Sequence, residues 1–113
     1  VEATVLRMPG QLFEHKGDNI SNVFTYKIVN KTVEDLEGIH FKLKETKGTI
    51  KVVGKDFVLV KKQGLVQGTL FIEINQALLE DDKMEIEIEV YSKNKLIETN
   101  FNYFSLNFDY WKY

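Results

Sequence analysis

The stretch MEIEIEVYSKNKLIETNFNY, residues 84–103, decides the fold. In its first half Met84, Ile86, Ile88 and Val90 alternate strictly with Glu85, Glu87, Glu89 and Tyr91. Wound as a helix, Ile86 and Ile88 would stand about 200° apart around the axis, and Glu85 would stack on Glu89 as a like charge. Laid out as a strand, the apolar residues line one face and the carboxylates the other. Ser92-Lys93-Asn94-Lys95 is predicted to turn the chain, Asn being a residue that tolerates the left-handed backbone of a tight turn, and Leu96–Tyr103 then returns alongside. The product is a β-hairpin with one dry face, whose covering layer must come from upstream.

Working outward, the rest of the chain supplies that layer. Val1–Met8 reads as a first strand stopped by Pro9-Gly10, which cannot continue a ladder. Gln11–Phe13 is short and pairs again before a polar turn at His15–Asn19. Ile20–Asn30 is a long strand with Phe24, Tyr26 and Ile28 on one face and Thr25 and Lys27 on the other, closed by Asn30-Lys31-Thr32, where Asn bonds its own backbone. Glu34–Glu37 is an acidic connection. Ile39, Phe41 and Leu43 alternate with His40, Lys42 and Lys44. Lys47-Gly48 leads into Thr49–Val53, Gly54-Lys55-Asp56 into Phe57–Val60, and the loop Lys61–Gly64 into a strong strand at Gly68–Asn75. Gln76–Lys83 is predicted to form one helical turn whose Leu78 and Leu79 cover the end of the core. Strands every 8–12 residues with almost no helix indicate a sandwich or barrel.

The 113 residues are enough for one core, burying roughly two-thirds of the unfolded surface. A net charge of −2 provides no basic field to recruit nucleic acid or anionic lipid. Without cysteine, disulfides, thiolate metal sites and iron–sulfur ligation are excluded within the chain. No apolar run reaches the roughly 20 residues of a membrane span. A start at Val1 rather than Met is expected of a processed product or, more simply, a piece of a longer protein.

Charge is unevenly distributed. His40–Lys62 carries seven Lys against Glu45 and Asp56, whereas Glu73–Glu98 carries eight acidic residues against Lys83, Lys93 and Lys95. In an immunoglobulin-like order the strand of Lys42 and Lys44 lies antiparallel beside that of Glu87 and Glu89. Opposite charges would then face each other across the ladder. The fold expected is therefore an all-β, immunoglobulin-like β-sandwich of seven to eight antiparallel strands in Greek-key order, spanning residues 1–103.

No catalytic constellation is visible. His15 in a turn and His40 on an outward face have no evident Ser or Asp partner, Met84 occupies a core phase, and Met8 stands alone. Glu80-Asp81-Asp82 lacks the spacing and distal Glu of a calcium loop. The seven glycines sit singly at turns, so no phosphate-cradling loop is present. Asn19-Ile20-Ser21 and Asn30-Lys31-Thr32 match glycosylation triplets that also arise by chance. Residues 104–113 form an aromatic tail with Phe104, Phe108, Tyr110, Trp111 and Tyr113. It is expected to be an extra edge strand or lid; its other reading is an interaction surface of Phe108, Tyr110, Trp111 and Tyr113 for a protein or a membrane interface.

Several segments, taken in order, resemble a known domain: Val5-Leu6-Arg7 with Pro9-Gly10-Gln11, Ile20-Ser21-Asn22, Lys27-Ile28-Val29-Asn30-Lys31-Thr32, Gln63-Gly64 with Gly68-Thr69, and Val90-Tyr91-Ser92 with Leu96-Ile97-Glu98-Thr99. This is similar to the C-terminal immunoglobulin-like domain of the FixG/CcoG family of cytochrome c oxidase accessory proteins, over about Val5–Phe104. The resemblance implies a polytopic membrane protein with a ferredoxin-like part binding two [4Fe–4S] clusters, acting in haem–copper oxidase assembly and copper reduction. It also implies a periplasmic position after the last membrane span, and protein partners rather than nucleic acid. The cluster cysteines are absent here, so no cofactor is expected in this piece and no enzymatic role of its own. Departures from antibody-type domains are the missing core disulfide, strand tryptophan and tyrosine corner. A second reading is a generic extracellular immunoglobulin-like module for adhesion or carbohydrate binding, for which only the tail is expected to supply exposed rings.

Overall fold

The computed structural model describes residues 1–7, 14–54, 58–79 and 83–105. Among them are nine strands: β1 Glu2–Arg7, β2 Glu14–Lys16, β3 Asn19–Val29, β4 Leu36–Leu43, β5 Thr49–Val52, β6 Val58–Val60, β7 Leu65–Asn75, β8 Lys83–Ser92 and β9 Lys95–Ser105. One antiparallel sheet runs β1-β3-β7-β5, with β2 also paired to β3; the other runs β6-β4-β8-β9. Strands β1, β3, β7 and β5 take the places of the first immunoglobulin sheet, and β4, β8 and β9 those of the second, with β6 added beyond β4. All pairings are antiparallel.

The period-two reading sets the core. Ile86, Ile88 and Val90 of β8 are buried, as are Phe24, Tyr26 and Ile28 of β3 and Leu70, Ile72 and Ile74 of β7. Met84 is partly buried against them. Tyr26 from one sheet meets Phe41 from the other with ring centroids 5.1 Å apart. Directly across from Tyr26 stands Gly68, where any Cβ would overlap the Tyr26 phenol; the absent side chain is what lets the ring lie flat on β7.

Lys42 stands opposite Glu89. Lys44 donates its N–H to the Glu87 carbonyl at 3.0 Å, and its ammonium lies 3.4 Å from the Glu87 carboxylate. The charge asymmetry thus reports a true neighbourhood of β4 and β8. The Lys42 ammonium, however, sits 5.0 Å above the Tyr91 ring, a cation–π arrangement rather than a bridge to Glu89.

Several local expectations are corrected. His15 lies in strand β2, paired with Ile20, not in a turn. The predicted helical turn shrinks to a 3₁₀ turn at Gln76–Leu78, capped by the Asn75 side chain accepting from Ala77 N–H at 2.9 Å. Only Leu79 packs on the core, while Leu78 is exposed. In the β8–β9 turn it is Lys93, not Asn94, that takes positive φ, at 55°. That strain is held from outside: the Lys93 N–H donates to the Gly38 carbonyl at 3.1 Å, and the Ser92 hydroxyl donates to the Glu37 carbonyl at 2.8 Å. Gly38 itself sits at a β4 irregularity with φ 62°, a conformation glycine adopts without steric cost. Strand β9 continues to Ser105, and Phe104, placed in the tail by the sequence, is fully buried.

Candidate functional site

The candidate site is the β9 edge of the second sheet, and its arrangement follows from one extra residue. Tyr91 pairs with Leu96, but Val90 pairs with Glu98, so the ladder slips by one at Ile97. Because side chains alternate, a one-residue slip moves every later side chain to the opposite face. Beyond the bulge Asn100, Asn102 and Phe104 therefore stand opposite the inward Ile88, Ile86 and Met84. Phe101 and Tyr103 are turned outward, 64% and 48% exposed.

The inward amides are used. Asn100 donates to the Ala3 carbonyl at 2.9 Å and accepts from the Val5 N–H at 3.3 Å; Asn102 donates to the Val5 carbonyl at 2.6 Å. These bonds close the flank of the sandwich by satisfying the backbone of β1. At the far end, Asn22 of β3 donates to the Ser105 carbonyl and accepts the Ser105 N–H, both at 2.8 Å and both buried. The last residue of β9 is thereby clamped to the opposite sheet.

The outward face carries rings and charges in cross-strand pairs. Phe101 stands opposite Glu87, and Tyr103 opposite Glu85. The Lys83 ammonium lies 4.2 Å above the Tyr103 ring. Glu87 pushes the Lys44 ammonium's pKa up through its hydrogen bond and its charge. Desolvation, then the Glu89 carboxylate that accepts the Tyr91 hydroxyl at 3.2 Å, raises the Tyr91 phenol. His40 stacks on Tyr91, centroids 5.4 Å apart, with Nδ1 2.9 Å from the Gly38 carbonyl.

The other sequence candidates are dispersed. Phe108, Tyr110, Trp111 and Tyr113 lie outside the described residues, as do Met8 and Glu80-Asp81-Asp82. Of the glycosylation triplets, Asn19 donates to the Glu73 carboxylate at 2.9 Å. Asn30 is 1% exposed; it donates to the Val60 and Glu34 carbonyls and accepts from Thr32. Buried in this way, Asn30 is a structural corner and not a glycan acceptor. Among the described residues no three His, Cys, Asp or Glu side chains group as a metal site, and no helix is long and apolar enough to cross a membrane. Sequence reading missed Phe101 and Tyr103 as exposed rings; the signal was the polar Asn100 and Asn102 alternating with them.

Sheet order, period-two core and flank closure together define an immunoglobulin-like β-sandwich. A family model described as "IG-like fold at C-terminal of FixG, putative oxidoreductase" matches residues 1–106, and the chain belongs to that family. The crystal structure of a FixG-related protein from Vibrio parahaemolyticus superposes with a TM-score of 0.71 at 21% identity, covering 92% of this chain and 94% of that one. At that identity the likeness speaks for the fold. No curated protein sequence matches the chain.

Proposed function

We propose that this chain is the accessory, protein-interacting domain of a membrane-bound FixG/CcoG-type protein that serves haem–copper oxidase assembly through copper reduction. The observation that carries the reading is the match of residues 1–106 to the FixG C-terminal domain in a sequence without cysteine. Electron transfer through two [4Fe–4S] clusters then belongs to cysteine-bearing parts of the whole protein, and this domain sits on the periplasmic side beside the membrane. It carries no cofactor of its own and binds protein rather than nucleic acid. Its surface for partners is the outward face of β9 together with the tail rings Phe108, Tyr110, Trp111 and Tyr113. The carbohydrate-binding reading gains Phe101 and Tyr103 as exposed rings, but Lys83 already covers the Tyr103 face, which favours the protein-binding role.

Deleting this domain from the full-length protein tests the proposal. Copper(II) reduction by the purified membrane protein is expected to persist, while assembled oxidase in the cell is lost. Unchanged oxidase levels, or copper(II) reduction by the isolated 113-residue chain, would overturn it.

A further inference from the structure

On the outward face of the second sheet both tyrosines carry a cation and the phenylalanine does not. The Lys42 ammonium lies 5.0 Å above the Tyr91 ring and the Lys83 ammonium 4.2 Å above the Tyr103 ring. Among the described residues no cation lies over Phe101, although its ring is the most exposed of the three, at 64%. The strand beside it is acidic at every outward position in reach. Glu87 stands directly across from Phe101, and Glu85 and Glu89 one outward position to either side, at the roughly 7–8 Å of diagonal cross-strand neighbours. The lysines of β4 lie one strand further off and are already engaged, Lys44 with Glu87 at 3.4 Å and Lys42 with Tyr91. Glu89 accepts the Tyr91 hydroxyl. Glu85 is exposed, and among the described residues no lysine bridges it.

We propose that Phe101 and Glu85 form the seat for an arginine side chain of a basic partner segment, the guanidinium lying flat on the ring while it hydrogen-bonds the carboxylate. This repeats from outside what Lys42 and Lys83 do within the chain. Arginine fits the seat better than lysine, because its planar fork stacks on a ring and pairs with a carboxylate at the same time. The carboxylates recur at every second residue of β8, so an extended segment with cations at alternate positions keeps step with them. An acidic segment laid on the same ring would meet Glu85, Glu87 and Glu89 as like charges. The inference rests on the reading of this face as a protein-binding surface and adds the chemistry of the partner. It uses side chains on the sheet face, so the backbone bonds that β9 already makes are kept.

The test is titration of the isotope-labelled 113-residue chain with a synthetic peptide of alternating arginine and glycine, followed by backbone amide shifts. Saturable binding is expected, with the largest shifts around Phe101 and Glu85. Phe101→Ala and Glu85→Gln should each weaken it by about two- to fivefold, the size of one exposed cation–π contact or ion pair. The control Leu6→Ala, at a position 59% exposed on the other sheet, should leave the affinity unchanged, and all three variants should melt as the parent does. Absence of saturable binding overturns the proposal, as does an affinity indifferent to Phe101→Ala or Glu85→Gln, or one weakened equally by Leu6→Ala. An equal affinity for a peptide of alternating glutamate and glycine overturns it as well. Binding that appears only once residues 106–113 are removed assigns the ring to the chain's own tail, and shifts at Phe101 on diluting the chain alone assign it to a second copy; either result sinks the arginine seat. The oxidase outcome of deleting the whole domain does not depend on this titration, so the two readings fail separately.

Discussion

Asparagine does at single positions what a disulfide does in antibody domains: it ties one sheet to the other. Asn22 satisfies both backbone groups of Ser105, Asn100 and Asn102 satisfy β1, and Asn30 gathers Thr32, Glu34 and Val60 at one corner. A buried donor or acceptor stripped of its partner costs about 1–3 kcal/mol. Asn22→Ala strips two at once and is expected to lower unfolding free energy by about 2–4 kcal/mol, measured by urea denaturation, whereas an unchanged midpoint would show water taking over both bonds. Residues that carry the family resemblance are largely these corners. Gln63 donates to the Lys31 and Thr32 carbonyls, Asn30 N–H donates to the Gly64 carbonyl, and Gly68 makes room for Tyr26. Their order along the chain was legible because each closes a particular bend. That Asn100 and Asn102 point inward was not, because the pattern Asn100-Phe101-Asn102-Tyr103 inverts the usual rule that rings are buried and amides exposed.

That inversion belongs to an element, the bulge at Ile97 in β9. Continued without it, the hairpin would place Phe101 against Ile86 and Tyr103 against Met84, burying two rings and leaving Asn100 and Asn102 in water. The apolar burial forgone is offset by the amide bonds to β1, which need the slipped register. Deleting Ile97 should therefore keep Val90 opposite Glu98 and preserve every pairing below it. The expected loss is about 1–3 kcal/mol, from the partly buried isoleucine alone, with the cooperative denaturation transition retained. A collapsed or molten product would show that the bulge itself, not the register it creates, is what the fold requires. The turn above it shows the same dependence on neighbours. Lys93 adopts the left-handed backbone because β4 supplies the Gly38 carbonyl to its N–H, a contact invisible in the four turn residues themselves.

At the level of the whole molecule one core joins the two sheets, and the inward face of β8 is its middle. Each of its fully buried side chains contributes about 1.5–3 kcal/mol, against a net stability of about 5–15 kcal/mol for a domain. Ile88 is fully buried, so Ile88→Asp is expected to give insoluble or unfolded protein with no cooperative melt; a melt at the parent temperature would contradict the packing described. By itself the sequence determined the class of fold, the inward phase of β3, β7 and β8, and the neighbourhood of β4 and β8. Each rests on a short-range regularity, alternation or charge, that any strand in any sandwich must obey. Only the tertiary structure decided the face of β9 and the strand beyond β4. A bulge shifts register without changing composition, and a strand's neighbour is chosen by contacts distant in sequence, so neither is written in local pattern.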